Sequence, residues 1–316
     1  MARRLGVEVD LVDFGLQSDI DLTRAEEALR ADQHGRYKAV LAVHVDTSTS
    51  VKNDIAGLRK AMDASGHEAL LMVDCIASLG VDRFEMDDWG VDVMVAASQK
   101  GLMTPAGMSF VFYNEKADAV RNSMAQVSSY WDWQPRTRGG EPPAYFCGTP
   151  PTHHLFGLRE AMTMLVHEEG VEAAWHRHGV LARAVWAAFD GWAHHDGMRL
   201  NITDQNKRSH AVTSAAAPSP KGTHLRRWME AQTGVTLGIG IGMAPLDDPE
   251  RDGFFRVGHM GHVNAHMVLG VLASMEAGMH AIGIPLTNSG VAAAAKVVGA
   301  EPVEFVKGSS VPGECC

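Results

Sequence analysis

The chain has 316 residues, enough for two domains that share one extended core. Hydrophobic residues make up 46% and charged residues 21%, the balance of an ordinary globular protein, and no apolar run approaches the roughly 20 residues that span a bilayer. The net charge of −10 argues against the concentrated basic face that nucleic-acid binding needs, so we expect neither a nucleic-acid nor a membrane partner.

The first half of the chain alternates short apolar runs with helical patterns, which predicts parallel strands joined by crossover helices. One helix is expected from Thr23, where Glu26 and Glu27 indicate a capped start, to about Arg30. Another is expected over 53–65, where apolar residues recur at i, i+3 and i+7. The buried strands of this half are predicted at 7–12, 38–44, 69–73, 91–97 and 108–113.

The second half begins after the segment 130–151, which is rich in proline and aromatic residues and predicts a long ordered loop. Loops of this length in compact domains are usually functional or contact a partner. Helices are predicted over 155–169, where Gly170 ends the pattern, and from 171 to about 192. Later elements are expected as strands around 199–202, 210–215 and 254–257 and as a helix over 265–280.

This order of elements predicts an α/β protein of two domains. A large domain with a mainly parallel sheet and a connecting helix is expected at 1–170. A smaller α+β domain is expected at 171–306, followed by a disordered tail at 307–316.

The cysteines and the N-terminus indicate the compartment. Cys75, Cys147, Cys315 and Cys316 show no CxxC spacing, and two of them lie at the C-terminus, where a disulfide framework would do little. Residues 1–6 lack the apolar core of a signal peptide. We therefore expect reduced thiols in a cytoplasmic protein.

Two polar residues follow neighbouring strands of the predicted sheet. Asp74 ends the apolar run 70–73 at the carboxyl edge, where ligands bind in open α/β sheets, although an isolated aspartate there is more often a turn or cap residue. Lys100 comes just past the next strand, flanked by Ser, Gln and Gly, off any obvious solvated face. A lysine held in this way loses its proton at modest cost and can bond to a carbonyl carbon, although an exposed loop lysine is commoner.

Arg256 lies on a predicted strand of the second half. Its planar guanidinium suits a bidentate grip on a carboxylate, with a structural salt bridge as the alternative. An aspartate and a lysine at the ends of two strands, with an arginine from the other domain, match the needs of pyridoxal phosphate chemistry. The aspartate keeps the pyridine nitrogen protonated, the lysine binds the cofactor and moves the Cα proton, and the arginine orients the substrate carboxylate.

Seven blocks of the sequence resemble the class V aminotransferases of fold type I, in particular the alanine/serine–glyoxylate aminotransferase group. They follow the family's order and lie at 44–51, 73–80, 86–93, 98–107, 149–152, 168–172 and 256–261. The resemblance implies a fold type I α/β protein, a homodimer, and pyridoxal 5′-phosphate as cofactor. It also implies transamination between a small amino acid (alanine, serine or aspartate type) and a 2-oxo acid, either glyoxylate or pyruvate.

The resemblance further implies roles for five residues around the cofactor. Lys100 would bind it covalently, and Asp74 would pair with its ring nitrogen. Ser48 would lie near its phenolic oxygen, Ile76 would pack on one face of the ring, and Gln99 would contact its phosphate.

Two more residues complete the implied site, and two positions depart from the family pattern. Thr149 would reach the phosphate of the neighbouring subunit's cofactor, and Arg256 would bind the substrate carboxylate. Phe146 stands where relatives often have a tyrosine, three residues before that threonine, and Tyr145 is the nearest hydroxyl that could compensate. Ser50 replaces a glycine that is common in the first block.

The largest departure is at the front of the chain. Members of the family carry a substantial segment before the run that here is 7–12, and that segment supplies a phosphate-binding turn and an aromatic residue that stacks on the ring. Residues 1–6 instead read as the end of a helix closed by Gly6. We therefore expect a sequence that begins in mid-domain, as a fragment, a late start or a truncated form.

Two other functions remain open. Pyridoxamine–pyruvate aminotransferase is suggested by Asp46-Thr47 and the block at 258–261, but that group is expected to place a second arginine shortly before Arg256, where this chain has the glycine-rich run 238–242. A homologue that has lost cofactor binding and acts as an interaction module is the alternative from a different class. No metal site is expected, because no carboxylate or cysteine completes a convincing ligand set among the 16 histidines.

Overall fold

The computed structural model describes residues 2–137 and 142–301, and a four-stranded sheet organises the first half of the chain. Its strands are β1 (Ala39–Val43), β2 (Leu70–Asp74), β3 (Val93–Ala97) and β4 (Ser109–Tyr113), side by side in that order. β1, β2 and β3 are parallel, whereas β4 returns antiparallel to β3. Four of the five strands predicted for this half are therefore confirmed, and the sheet is mainly parallel as expected.

The fifth predicted strand, 7–12, is wrong. The segment pairs with no described strand, and its side chains face solvent, with Val7 53% and Leu11 79% exposed. A strand forms only where a neighbour takes up its backbone hydrogen bonds. The apolar composition of 7–12 predicted a strand, but composition cannot show whether a neighbouring strand is present, and the described residues supply none.

Two helices cover one face of the first sheet. α1 (Leu22–Ala31) and α2 (Ile55–Ser65) confirm the predicted positions. The N-cap of α1 is Asp21 rather than Thr23, because the Asp21 carboxylate accepts the N–H groups of Thr23 (3.0 Å) and Arg24 (3.1 Å). Aspartate is the stronger cap of the two candidates at this point, so the predicted start was two residues late. The helices and strands share one apolar core, formed by Leu29, Ala42, Ile55, Leu58, Met62, Leu71, Val73 and Met94 with their neighbours.

The middle of the chain is more helical than expected. α3 (Glu115–Ser123) follows β4, and the segment predicted as a loop contains two short helices, α4 (Gln134–Thr137) and α5 (Pro142–Phe146). α6 (Thr152–Met162) continues into a π-helical stretch at Thr163–Glu169. Gly170, at φ 88°, ends it where predicted.

A second sheet organises the rest of the chain. Its strands are β5 (Arg199–Leu200), β6 (Val212–Ala216), β7 (Gly238–Ile239) and β8 (Phe254–Gly258), arranged antiparallel in the order β5–β6–β8–β7. Its helices are α7 (Val171–Trp192), α8 (Lys221–Thr233), α9 (Ala265–Ile282) and α10 (Gly290–Gly299). Short 3₁₀ turns occur at Ala2–Leu5, Gln205–Lys207 and Pro249–Gly253. Helices and strands enclose a core around Phe189, Trp192, Leu225, Phe255, Leu272 and Met275.

α9 has the length and apolar composition of a membrane-spanning helix. No apolar run of that length was expected from the sequence. One face of α9 packs into the core through Leu272 and Met275, both fully buried. Glu276 on the same helix accepts hydrogen bonds from the Trp192 indole (2.7 Å) and the Ser289 hydroxyl (3.2 Å). These contacts are those of a core helix.

The loop 44–54 after β1 connects the two sheets. Val51 in this loop forms a bridge with Arg208, and the side-chain amide of Asn201 donates to the carbonyl of Thr49 (2.9 Å). The carboxyl edge of the first sheet therefore lies beside the second sheet.

The predicted domain boundaries stay predictions. The first sheet lies wholly within 1–170 and the second wholly within 171–306, but nothing independent of the sheets tests these bounds. The predicted tail at 307–316 lies outside the described residues.

Candidate active site

Asp74 and Lys100 lie at the same edge of the first sheet. Asp74 is the last residue of β2, and it pairs in parallel register with Val95 of β3. Lys100 follows the end of β3 by three residues, in a turn. Because the carboxyl ends of parallel strands meet at one edge, the structure brings these two predicted site residues together. Asp74 is half-buried, and its Oδ1 accepts the N–H of Ile76, also half-buried (2.8 Å).

The turn that carries Lys100 is held by its own neighbours. The carbonyl of Ser98 accepts hydrogen bonds from both the N–H (3.1 Å) and the hydroxyl (3.0 Å) of Thr104. Gly101 packs so closely that a Cβ there would lie 2.0 Å from the carbonyl oxygen of Leu79. No larger residue fits at this position without a shift of the backbone, so the close packing of Gly101 holds the turn next to Lys100, whose side chain is half-exposed.

Ser48 lies in a tight turn after β1. The Asp46 carboxylate accepts the N–H of Ser48 (2.8 Å) and the hydroxyl of Thr49 (3.0 Å), which fixes the turn. Ser50, in the same turn, has φ 64°, a left-handed conformation that glycine adopts without strain. This conformation is consistent with the glycine that the family resemblance implies at that position.

Arg256 reaches this turn from the second sheet. Its Nε donates to the carbonyl of Ile239 (2.8 Å), and its Nη1 donates to the carbonyl of Thr47 (2.7 Å). Burial lowers the pKa of Arg256, and the nearby Asp46 carboxylate raises it; a guanidinium remains charged throughout. Nη2 has no hydrogen-bond partner among the residues that the structure describes, so it is available to a carboxylate ligand.

The glycine-rich run 238–242 makes room around Arg256 and Ser48. A Cβ on Gly238 would lie 3.3 Å from the Cβ of Arg256 and 3.5 Å from its Nε, and a Cβ on Gly242 would lie 3.5 Å from the Ser48 hydroxyl. The sequence predicted neither this contact nor β7, because a two-residue strand between glycines carries no periodicity.

Gln99 and Thr149 are both exposed. Gln99 neighbours Lys100 in the turn. Thr149 follows Cys147 and Gly148, which have φ 55° and 158°, and no contact in the described part of the chain joins it to the other predicted site residues. The predicted contact of Thr149 with a neighbouring subunit stays a prediction.

The histidines near this edge are packed as core residues. His259 is fully buried; its Nδ1 donates to the carbonyl of His210 (2.8 Å) and its Nε2 accepts the hydroxyl of Thr213 (2.9 Å). Burial lowers the pKa of His259 to about 4, so the ring is neutral. His44 is buried between the rings of Phe84 and Trp89, and burial lowers its pKa to about 4 as well.

One group of possible metal ligands exists among the described residues. His194, His195 and Asp196 lie in the turn after α7, with ligand atoms within 4.8 Å of one another, and both His195 and Asp196 are exposed. The group belongs to no sheet edge and contacts none of the predicted site residues. The expectation that no metal serves the site stays a prediction.

The groups at the sheet edge fit pyridoxal phosphate. Asp74 keeps Oδ2 without a hydrogen-bond partner among the described residues, which leaves it available to a protonated ring nitrogen. In the described part of the chain, Lys100 forms no ion pair and the hydroxyl of Ser48 forms no hydrogen bond. A carboxylate, an amine and a hydroxyl near one edge, with a guanidinium beside them, suit the ring nitrogen, aldehyde and phenolic oxygen of this cofactor and the carboxylate of an amino-acid substrate.

Comparisons with known proteins agree with this arrangement. The family model described as "Aminotransferase class-V" matches residues 1–251. The serine–glyoxylate aminotransferase of Methylorubrum extorquens is 37% identical over 312 residues, which cover 96% of this chain and 74% of that protein. The L-aspartate–glyoxylate aminotransferase of Paracoccus denitrificans is 33% identical over 296 residues, covering 93% and 72% respectively.

Solved structures show the same fold. The ureidoglycine–glyoxylate aminotransferase of Bacillus subtilis superposes with a TM-score of 0.79 at 26% identity, over 94% of this chain and 74% of that chain. The pyridoxamine–pyruvate aminotransferase of Mesorhizobium loti superposes with a TM-score of 0.76, also at 26% identity, over 90% and 70%. Both the predicted fold class and the predicted family are therefore confirmed.

Proposed function

This chain belongs to the class V aminotransferase family, and we propose that it moves an amino group from a small amino acid of the alanine, serine or aspartate type to glyoxylate or pyruvate. The observation that carries the proposal is the meeting of Asp74 and Lys100 at one sheet edge with Arg256 from the other sheet. Relatives that are named as serine–glyoxylate and aspartate–glyoxylate aminotransferases support the substrate class.

Five residues would hold pyridoxal phosphate in this site. Lys100 would bind its aldehyde carbon, Asp74 would pair with its ring nitrogen, and Ser48, Ile76 and Gln99 would contact its phenolic oxygen, ring face and phosphate. When bound, the cofactor supplies an electron-withdrawing ring that makes the substrate Cα proton acidic. The Oδ2 of Asp74, for which the described residues supply no hydrogen-bond donor, and the amine of Lys100 support this assignment.

The chain's own groups account for the remaining requirements. Lys100 Nζ, released when the substrate amine takes its place, would accept the proton from the substrate Cα and deliver it to C4′, the former aldehyde carbon of the cofactor. Asp74 would hold a proton on the ring nitrogen, because its negative charge stabilises the pyridinium cation. Arg256 binds the carboxylate of the amino acid and, in the second half of the cycle, that of the 2-oxo acid. One arginine thus serves both substrates.

The homodimer is part of the proposal. Thr149 would contact the phosphate in the site of a second copy of the chain, which is consistent with its exposed position away from Lys100. Exposed aromatic side chains in the same region support a buried contact there, with Trp131 75% and Tyr130 63% exposed.

Pyridoxamine–pyruvate aminotransferase is the second candidate, because a structure of that activity superposes over most of the chain. The run 238–242 offers backbone and isoleucine side chains beside Arg256 rather than a second guanidinium, which favours amino-acid substrates.

The test is an absorbance spectrum of the purified chain with added pyridoxal phosphate, recorded before and after alanine and then glyoxylate. We expect a band from the lysine-bound cofactor that bleaches with the amine and returns with glyoxylate. A band that bleaches with pyridoxamine alone would favour the second candidate. If no band forms, the chain does not bind the cofactor, and the interaction-module alternative replaces the proposal.

A further inference from the structure

Gly261 lies against the peptide of Lys100. It has φ 89°, and a Cβ there would lie 3.1 Å from the carbonyl oxygen of Lys100 and 3.7 Å from Cγ of Met103. The same Lys100 carbonyl accepts the N–H of Met103 (3.0 Å), which closes the turn. Gly261 therefore forms one wall of the turn that presents the lysine, and only glycine fits there without strain.

Two consecutive residues of α7 bind both polar groups of Gly261. The N–H of Gly261 donates to Nε2 of His178 (3.0 Å), and its carbonyl accepts Nη1 of Arg177 (3.1 Å). The same Nη1 also donates to the carbonyl of Val263 (2.9 Å). We call Arg177 and His178 the α7 clamp.

Both residues of the α7 clamp are themselves held in place. His178 is fully buried, and its Nδ1 donates to the carbonyl of Ala174 (2.7 Å), so only an unprotonated Nε2 can accept from Gly261. Burial lowers the pKa of His178 and keeps the ring in that form. Arg177 is paired through Nε (2.5 Å) and Nη2 (2.9 Å) with the Glu169 carboxylate at the end of the π-helical stretch.

Gly261 follows the strand that carries the substrate arginine. Arg256 lies on β8, and Gly261 follows it by five residues. Between them His259 is fully buried and bonded at both ring nitrogens, to His210 and to Thr213. These two hydrogen bonds anchor the segment between Arg256 and Gly261. If Gly261 moves relative to this anchor, the distance between Lys100 and a carboxylate bound at Arg256 changes.

We propose that Arg177 and His178 are positioning residues for the proton transfer, because they press Gly261 against Lys100 and so set the lysine relative to Arg256. The inference rests on the proposed function. Placement errors of about 1 Å cost on the order of 10²-fold in rate when two groups must meet in a fixed geometry. The described contacts of the clamp are with Gly261, Val263, Glu169 and Ala174 and with none of the residues assigned to the cofactor or substrate, so we expect it to act on kcat rather than on binding.

The test compares three clamp variants with two matched controls. Arg177→Gln removes the guanidinium that binds Glu169 and Gly261, and His178→Phe removes the ring nitrogen that accepts the N–H of Gly261. His178→Gln keeps an acceptor for that N–H and serves as the conservative variant. Arg183→Gln, on the same helix with an exposed side chain, and Gly270→Ala, exposed on α9 with no described atom within 4 Å of a new Cβ, are the controls. The controls are expected to match the wild-type chain.

The expected result is a fall in kcat of roughly 10- to 100-fold in Arg177→Gln and His178→Phe, with KM for both substrates within about twofold of wild type. His178→Gln should recover part of the loss. The Cα-deuterium isotope effect on kcat should rise in the two damaging variants, since a misplaced base slows the proton transfer itself. Amide hydrogen exchange of the cofactor-free chain should accelerate at 98–104 in the same variants and in neither control.

Two results would overturn the proposal. Clamp variants with unchanged exchange at 98–104 would show that Gly261 does not hold the turn. Variants that melt at lower temperature but keep wild-type kcat per bound cofactor would show a purely structural clamp. A wild-type chain that binds no cofactor would contradict the proposed function instead, and the exchange comparison would still decide whether the clamp holds the turn.

Discussion

The two sheets contribute to the site in different ways. The first sheet presents Asp74 and Lys100 at strand ends, and contacts close in sequence fix them, such as that of Ser98 with Thr104. The second sheet presents Arg256, whose orientation depends on the carbonyl of Thr47, 209 residues away. The difference teaches that the turn of Lys100 is closed by its own neighbours and only supported from outside by Gly261, whereas the orientation of Arg256 exists only once the two sheets have come together.

The largest effect is expected on the Lys100 side of the site. Lys100→Ala removes the base and the covalent partner of the cofactor, so turnover should fall by on the order of 10³-fold or more. Steady-state assays of alanine and glyoxylate turnover measure the loss, and Lys60→Ala, on the exposed face of α2, is the control. A Lys100→Ala variant that kept its activity would remove the lysine from the site.

Arg256→Lys tests the side that depends on both sheets. A lysine cannot make the two fixed contacts and also grip a carboxylate with two parallel hydrogen bonds, and a hydrogen bond to a charged group is worth about 1.5–3 kcal/mol. We therefore expect KM to rise roughly 10- to 100-fold for the amino acid and for the 2-oxo acid together. A rise for one substrate alone would contradict a shared carboxylate site.

The sequence predicted the residues on the Lys100 side of the site better than the contacts on the Arg256 side. Lys100 and Asp74 were found because apolar runs mark strands and polar residues mark their ends, a local pattern. The partners of Arg256 could not be found, since Thr47 is remote in sequence and β7 is two residues long. The antiparallel return of β4 was missed as well, because an apolar run does not encode strand direction.

Gly238→Ala is a smaller change to the Arg256 side. The new Cβ would lie 3.3 Å from Cβ of Arg256, so the arginine must yield by a few tenths of an ångström. We expect KM for both substrates to rise severalfold with kcat little changed. Gly270→Ala, exposed on α9 with nothing within 4 Å of the new Cβ, should leave both constants as they are. Equal kinetics in the two variants would show that the run 238–242 does not constrain the arginine.

The smallest effect concerns stability on the lysine side. Asp54 caps α2 by accepting the N–H of Gly57 (2.7 Å), and Asp54→Ala should lower the free energy of unfolding by about 1 kcal/mol. Thermal melting measures the loss, with Lys60→Ala on the same helix as control. Because this cap contacts no predicted site residue, kcat should stay at the wild-type value, and a matching fall in kcat would show that the start of α2 is coupled to the site.

The central claim is that Lys100, at the edge shared with Asp74, is the residue that binds the cofactor. The most direct measurement is borohydride reduction of the chain with pyridoxal phosphate, followed by mass spectrometry of the peptides. We expect one label per chain, on Lys100, and a loss of that label in Lys100→Ala. Label spread over several lysines, or an unmodified Lys100 peptide beside a labelled one elsewhere, would contradict the account.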